Sequence, residues 1–135
     1  MSDQSVLVVF REQASGHRAL AAAAGLDVPL TVVALAPKQE RSCRCVVYAG
    51  ALDDAIRDSA LRELANARVL LGARAQAARF VVLQTSRDED LAAWASAAGI
   101  RRALLGARRA VLGLRPRDGV ARALARAGLE VSVID

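Results

Sequence analysis

Five short apolar stretches recur along the chain, bounded by polar residues, glycine or proline, and they limit the fold more than any other feature. Ser5-Val-Leu-Val-Val-Phe10 is a continuous, mostly β-branched run, the pattern of a strand buried on both faces. Leu30-Thr-Val-Val-Ala-Leu-Ala36 repeats it and is closed by Pro37. Phe80-Val-Val-Leu83, Ile100 to Leu105 and Leu129 to Ile134 complete the set. A run that can be buried on both faces needs cover on both faces, which points to a sheet between helical layers.

The intervals carry helical patterns. Glu12 to Ala24 is rich in alanine, with Gly25 placed to cap it. A longer pattern begins near Ala51, after the polar stretch Lys38 to Arg44 and the segment Cys45-Val-Val-Tyr48; it sets Leu52, Ile56, Ala60, Leu64 and Ala67 on one face. Asp53 with Arg57, and Asp58 with Arg62, are spaced as i,i+4 pairs on the other face. Ser86-Arg-Asp-Glu89 has the spacing of a capping box and opens a helix to about Ala98, stopped by Gly99. Trp94 in this helix reads as core. A last helix runs from about Gly119 to Ala127, with Val120, Leu124 and Ala127 inward and Gly128 as its cap. Five strands alternating with four helices predict an α/β three-layer sandwich with a parallel sheet. Its ligands are expected at the carboxyl ends of the strands, where strand order reverses. A second register, with the third helix running through Arg102 and Ala110 to Leu114 as the fourth strand, is less favourable. It buries Gly99 inside a helix at a cost of about 1 kcal/mol.

At 135 residues, 54% of them hydrophobic, the chain is read as one domain spanning 1–135. Eighteen arginines against one lysine give a net charge of +5, which permits anionic partners without demanding nucleic acid. Aromatic residues at 3% leave few rings for base stacking, so nucleic acid is not the expected partner. No apolar run has the length of a membrane span, and Met-Ser-Asp-Gln enters the first strand without a basic leader, so a cytoplasmic location is expected.

Chemistry is sparse outside one loop. From Ile100 to Gly119 the sequence passes from strand into a segment broken by Gly106, Gly113, Pro116 and Gly119; Arg101, Arg102, Arg108, Arg109, Arg115 and Arg117 are opposed there only by Asp118. A positive loop leading to a helix N-terminus suits a phosphate-bearing ligand. The plain alternative is a solvated arginine-rich loop. Asp53, Asp54 and Asp58 read as acid placed at a helix N-terminus rather than as a metal site. Cys43-Arg-Cys45, flanked by Arg41 and Arg44, lacks further soft ligands, and residues so close form a strained disulfide, so free thiols are expected. His17, the single histidine, has no nucleophile motif to serve. No catalytic constellation is present in the sequence, and an enzyme is not expected.

The order and spacing of these elements resemble the universal stress protein family. Ala98-Gly99-Ile100 through Leu104-Leu105-Gly106-Ala107 resembles that family's helix end, fourth strand and turn, and Asp118-Gly-Val-Ala-Arg-Ala-Leu-Ala-Arg126 resembles its last helix start. The resemblance implies a five-stranded parallel sheet of order 3-2-1-4-5, often dimeric. In ATP-binding members it implies a Gly-x-x-Gly-x9-Gly-Ser/Thr phosphate loop, an aspartate ending the first strand and a valine beside adenine on the second.

Carried across, the loop's first glycine is Gly106, its second is Arg109, and its third is Gly119 followed by Val120 in place of a hydroxyl residue. An ungapped alignment puts Asp118 at the third glycine instead. The strand-ending aspartate is Arg11 and the adenine-side residue is Ala34. Metal-assisted triphosphate binding thus lacks its carboxylate. What the residues retain is Gly106, the helix N-terminus at Gly119, and guanidinium groups from Arg11, Arg108 and Arg109, which suit phosphate bidentately. The candidate ligand site is therefore Arg11, Ala34, Gly106, Arg108, Arg109, Asp118, Gly119 and Val120, for ATP, another nucleotide or no cofactor at all.

Two function classes follow. One is a stress-response sensor or adaptor that binds a nucleotide or other phosphate-bearing ligand weakly or not at all. The other is a ligand-free interaction module whose basic loop contacts an acidic protein partner. In either, the final strand Leu129 to Ile134 lies at a sheet edge in the implied order, with only Glu130 and Asp135 to blunt it, so a homodimer through that edge is expected.

Overall fold

The computed structural model describes residues 5–10, 13–36, 46–85, 87–107 and 118–134, and only the backbone at 13–15 and 46–53. Its elements follow in the order β1 (Val6–Phe10), α1 (Gln13–Ala24), β2 (Leu30–Ala36), α2 (Val46–Leu71), a three-ten turn (Gly72–Ala77), β3 (Arg79–Gln84), α3 (Asp88–Ala97), β4 (Arg102–Gly106), α4 (Gly119–Arg126) and β5 (Glu130–Ile134). The sheet has the order β3-β2-β1-β4-β5, and every pair in it is parallel. The alternation of short apolar runs with helical patterns is what dictates this arrangement. Strand order turns around β1, which pairs Val9 with Val33 on one side and with Leu105 on the other.

Alternate residues of the central strands feed two cores. On one face Val6, Val8 and Phe10 pack with Val32, Ala34, Leu20 and Ala23 of α1, and Leu64 and Ala67 of α2. On the other, Leu7, Val9 and Leu105 pack with Leu91 and Ala95 of α3 and Val120 and Leu124 of α4. Trp94 is half-buried against this second core. Of the α2 face read from the sequence, Ala60, Leu64 and Ala67 are buried and continued by Leu71, Ile56 is half-buried, and the Leu52 side chain lies outside the described residues.

Several boundaries differ from expectation, each for a local reason. α2 begins at Val46, so the Val46–Tyr48 segment lies inside the helix. Asp53, Asp54 and Asp58 consequently fall in its interior rather than at its N-terminus, and the macrodipole does not account for them. α3 begins at Asp88, with Arg87 as an N-cap residue that makes no side-chain capping bond. Thr85 serves the helix entrance instead. Its hydroxyl accepts the Arg87 N–H at 3.1 Å and donates to the Asp90 carboxylate at 2.7 Å. Ser86 lies outside the described residues. Ala127 is exposed rather than inward. Gly99 and Gly128 do adopt the left-handed conformation that ends their helices, at φ +77° and +93°. Gly25 does not; the end of α1 is held by Arg74, which donates to the carbonyls of Ala24 and, at 3.3 Å, Val28.

Candidate functional site

Because all strands are parallel, each helix starts at the carboxyl end of the sheet. The switch point between β1 and β4 therefore gathers Phe10, Gly106, Ala107 and the start of α4 at one end of the molecule. β4 is fixed there by its neighbour: Gly106 pairs with Ile134, and the Ala107 N–H donates to the Ile134 carbonyl at 2.8 Å. Arg18 of α1 reaches across, its Nη2 3.4 Å from the Ala107 carbonyl.

The expected site residues divide. Arg11, Arg108 and Arg109 lie outside the described residues, as do Arg115, Arg117, Cys43 and Cys45. Ala34 is fully buried in the first core and pairs with Phe10, so it offers a ligand no side-chain surface. Gly106 is at the end of β4 and is buried. Asp118, Gly119 and Val120 form the entrance to α4. Val120 is buried in the second core, where it anchors the start of α4.

Asp118 occupies the N-cap of α4, and its Oδ1 accepts the Ala121 N–H at 3.1 Å. A second carboxylate lies alongside: Asp88, in the first turn of α3, stands so close to Gly119 that a Cβ there would collide with its Oδ2. The end of α4 that was expected to attract an anion thus already has one carboxylate bonded to it and another beside it. Both act against the favourable field of the helix N-terminus. Nothing in the sequence pattern tied Asp88 to Gly119, because the contact joins two elements 31 positions apart. Asp88 and Gly119 also line a cavity of about 480 Å³ between α3 and α4, together with alanines of both helices and Glu89, Arg122 and Arg126.

The positive charge of the loop is also smaller than the sequence suggests. Arg101 precedes β4 and Arg102 is its first residue, four residues and about 13 Å from Gly106. They sit at the amino end of the sheet, away from the switch point. The reason is the strand itself, which the two arginines enter and Gly106 leaves.

His17 lies on α1 with its ring centroid 5.6 Å from that of Phe10, and its Nε2 is buried with no hydrogen bond among the described residues. It faces no nucleophile there. Among the described residues no three His, Cys, Asp or Glu side chains group as metal ligands, and no described helix is long and apolar enough to cross a membrane.

No family model and no curated protein sequence matches the chain. Solved structures do. The universal stress protein UspA of Lactobacillus plantarum is similar over 100% of this chain and 99% of its own, with a TM-score of 0.82 at 13% identity. A protein of the universal stress protein family from Burkholderia pseudomallei is similar over 97% and 95%, with a TM-score of 0.72 at 20% identity. The universal stress protein of Archaeoglobus fulgidus in complex with dAMP is similar over 98% and 97%, with a TM-score of 0.56 at 19% identity. Sheet order, helix placement and these full-length likenesses agree: the chain has the universal stress protein fold.

Proposed function

We propose that the chain is a divergent universal stress protein, a cytoplasmic stress-response adaptor rather than an enzyme, which binds nucleotide or another phosphate-bearing ligand weakly and without a metal. The observation that carries this reading is the acid at the start of α4. A phosphate approaching those N–H groups must displace the Asp118 cap and sit beside Asp88, losing both a bond and the favourable field. Nucleotide remains the ligand class because the Archaeoglobus fulgidus protein of the same fold is in complex with dAMP, and Gly106 permits a close backbone approach at the switch point.

A ligand that binds only the native state raises its melting temperature by mass action. Magnesium ATP and dAMP at about 1 mM are expected to give a small, saturable shift of about 1 °C, the response for a dissociation constant near the ligand concentration. A shift of several degrees below millimolar ATP contradicts weak binding. No shift with either nucleotide favours the second reading, a ligand-free module whose basic loop contacts an acidic protein. The burial of Val120 supports that reading, since its side chain is committed to the core and offers a ligand no polar group.

Self-association at β5 is part of the proposal. The backbone N–H of Glu130 donates to the Arg101 carbonyl and the Ile134 carbonyl accepts the Ala107 N–H, so by alternation the Val133 N–H points away from β4, toward the sheet edge. Its side chain is 47% exposed. Val133→Pro therefore removes an edge donor without breaking a bond inside the sheet.

A further inference from the structure

The apolar side chains left in solvent are not gathered at β5. Among the described residues, three of the four large exposed ones are on α2: Leu61, Val69 and Leu70. Leu61 belongs to a stripe, Asp58, Leu61, Ala65 and Arg68, whose spacing of three and four places it on one side of the helix. That side flanks the other edge of the sheet. Leu61, Ala65 and Arg68 border Phe80 of β3, with the Arg68 guanidinium 4.6 Å from the centre of its ring. β3 itself is an edge strand whose inner residues, Phe80 to Leu83, are only half-buried. The backbone N–H of Thr85 donates to the Ala36 carbonyl of β2, so by alternation the N–H and C=O groups of Phe80, Val82 and Gln84 point outward.

We infer that this α2–β3 flank takes a second copy of the chain, packed antiparallel about a twofold axis perpendicular to the sheet. The stripe is self-complementary. An axis at the level of residue 63 sets Leu61 against the partner's Ala65 and Asp58 against the partner's Arg68, and symmetry makes each contact twice. The strand supplies the same axis. Centred on Val82, an antiparallel pair exchanges backbone bonds between Val82 and the partner's Val82, and between Phe80 and the partner's Gln84. Because α2 runs antiparallel to β3 with Phe80 beside its 61–68 segment, the two centres agree in height to within roughly one strand residue. One operation thus covers Leu61, pairs the charges and satisfies the outward groups of β3. The contact is independent of the β5 pairing and of any ligand.

The test uses the full chain carrying Val133→Pro, which removes the β5 contact. At about 50 μM, a concentration at which a micromolar interface is mostly formed, this variant is expected to sediment as a dimer. Adding Leu61→Glu, a change at an exposed position, or Val82→Pro, which removes an outward donor without breaking a bond to β2 but also trims a side chain packed on the first core, is expected to give a folded monomer. Asp58→Arg or Arg68→Asp alone is expected to weaken the dimer about tenfold, and the charge-exchanged double variant to recover it. A monomeric Val133→Pro protein overturns the inference. So does a dimer that survives both Leu61→Glu and Val82→Pro, or a double variant no tighter than its parents.

Discussion

The carboxylate of Asp118 accepts the backbone N–H of Ala121 at 3.1 Å, which makes a residue of the candidate ligand site the cap of α4. Stability and ligand affinity are therefore opposed at this position. Replacing an N-cap aspartate by alanine costs about 1 kcal/mol, so Asp118→Ala is expected to lower the melting temperature by about 3 °C. The same change frees a donor and removes a negative charge, and dAMP affinity measured by calorimetry is expected to rise. Affinity that falls instead would assign Asp118 to ligand binding.

Gly119 and Asp88 form a second coupled pair. Alanine at 119 gains helix propensity but pushes its Cβ into the Asp88 carboxylate. Gly119→Ala is expected to be close to neutral in the wild type and stabilising by about 0.5 kcal/mol once Asp88→Ala has cleared the space. Chemical denaturation of the four proteins in the cycle measures the coupling, and equal effects in the two backgrounds contradict it.

At Gly16 the balance goes the other way. A Cβ there would lie 2.8 to 3.0 Å from three ring atoms of Phe10, which is itself 1% exposed. Moving the ring disturbs the first core, in which it packs. Gly16→Ala is expected to destabilise by about 1 to 3 kcal/mol despite the better helix former. A neutral or positive change in the denaturation midpoint would show that α1 can move off the sheet.

Glu63 of α2 gives a pH dependence. Partial burial pushes its carboxyl above the ordinary glutamate value. A group with a higher pKa in the folded state holds its proton more tightly there. Its contribution is full in acid and is lost as the pH rises through the folded pKa. Glu63→Gln removes that loss, so its melting temperature relative to wild type is expected to be higher at about pH 7 than at about pH 4, with a small difference because the group is only half-buried. A gap that narrows as pH rises reverses the sign.

The sheet was legible because its residues obey local rules: continuous β-branched runs for β1 and β2, glycine stops at Gly99 and Gly128, and one apolar face through Ala60, Leu64 and Ala67. Val46-Val47-Tyr48 was not, since an apolar triplet after a polar stretch reads as well for strand as for helix. The three-ten turn from Gly72 to Ala77 carries no proline and went unseen. Site geometry was less legible still. The loop's glycines and arginines show in the sequence, but which arginines enter β4 depends on where the strand begins. The approach of Asp88 to Gly119 depends on how two helices lie on one face. Both are properties of packing rather than of composition.

Arg74 fastens the end of α1 to the turn after α2 at the amino end of the sheet, the end opposite the switch point. The molecule's cross-bracing is thus partly located where no ligand is expected, and the two cores close on residues of strands and helices. Those bonds are made by residues remote from the switch point. A change at the switch-point end leaves the Arg74 bonds in place, whereas a change at Arg74 loosens the end of α1 itself. Grafting an intact phosphate loop between Gly106 and Gly119 is then a change of cargo on an unchanged frame.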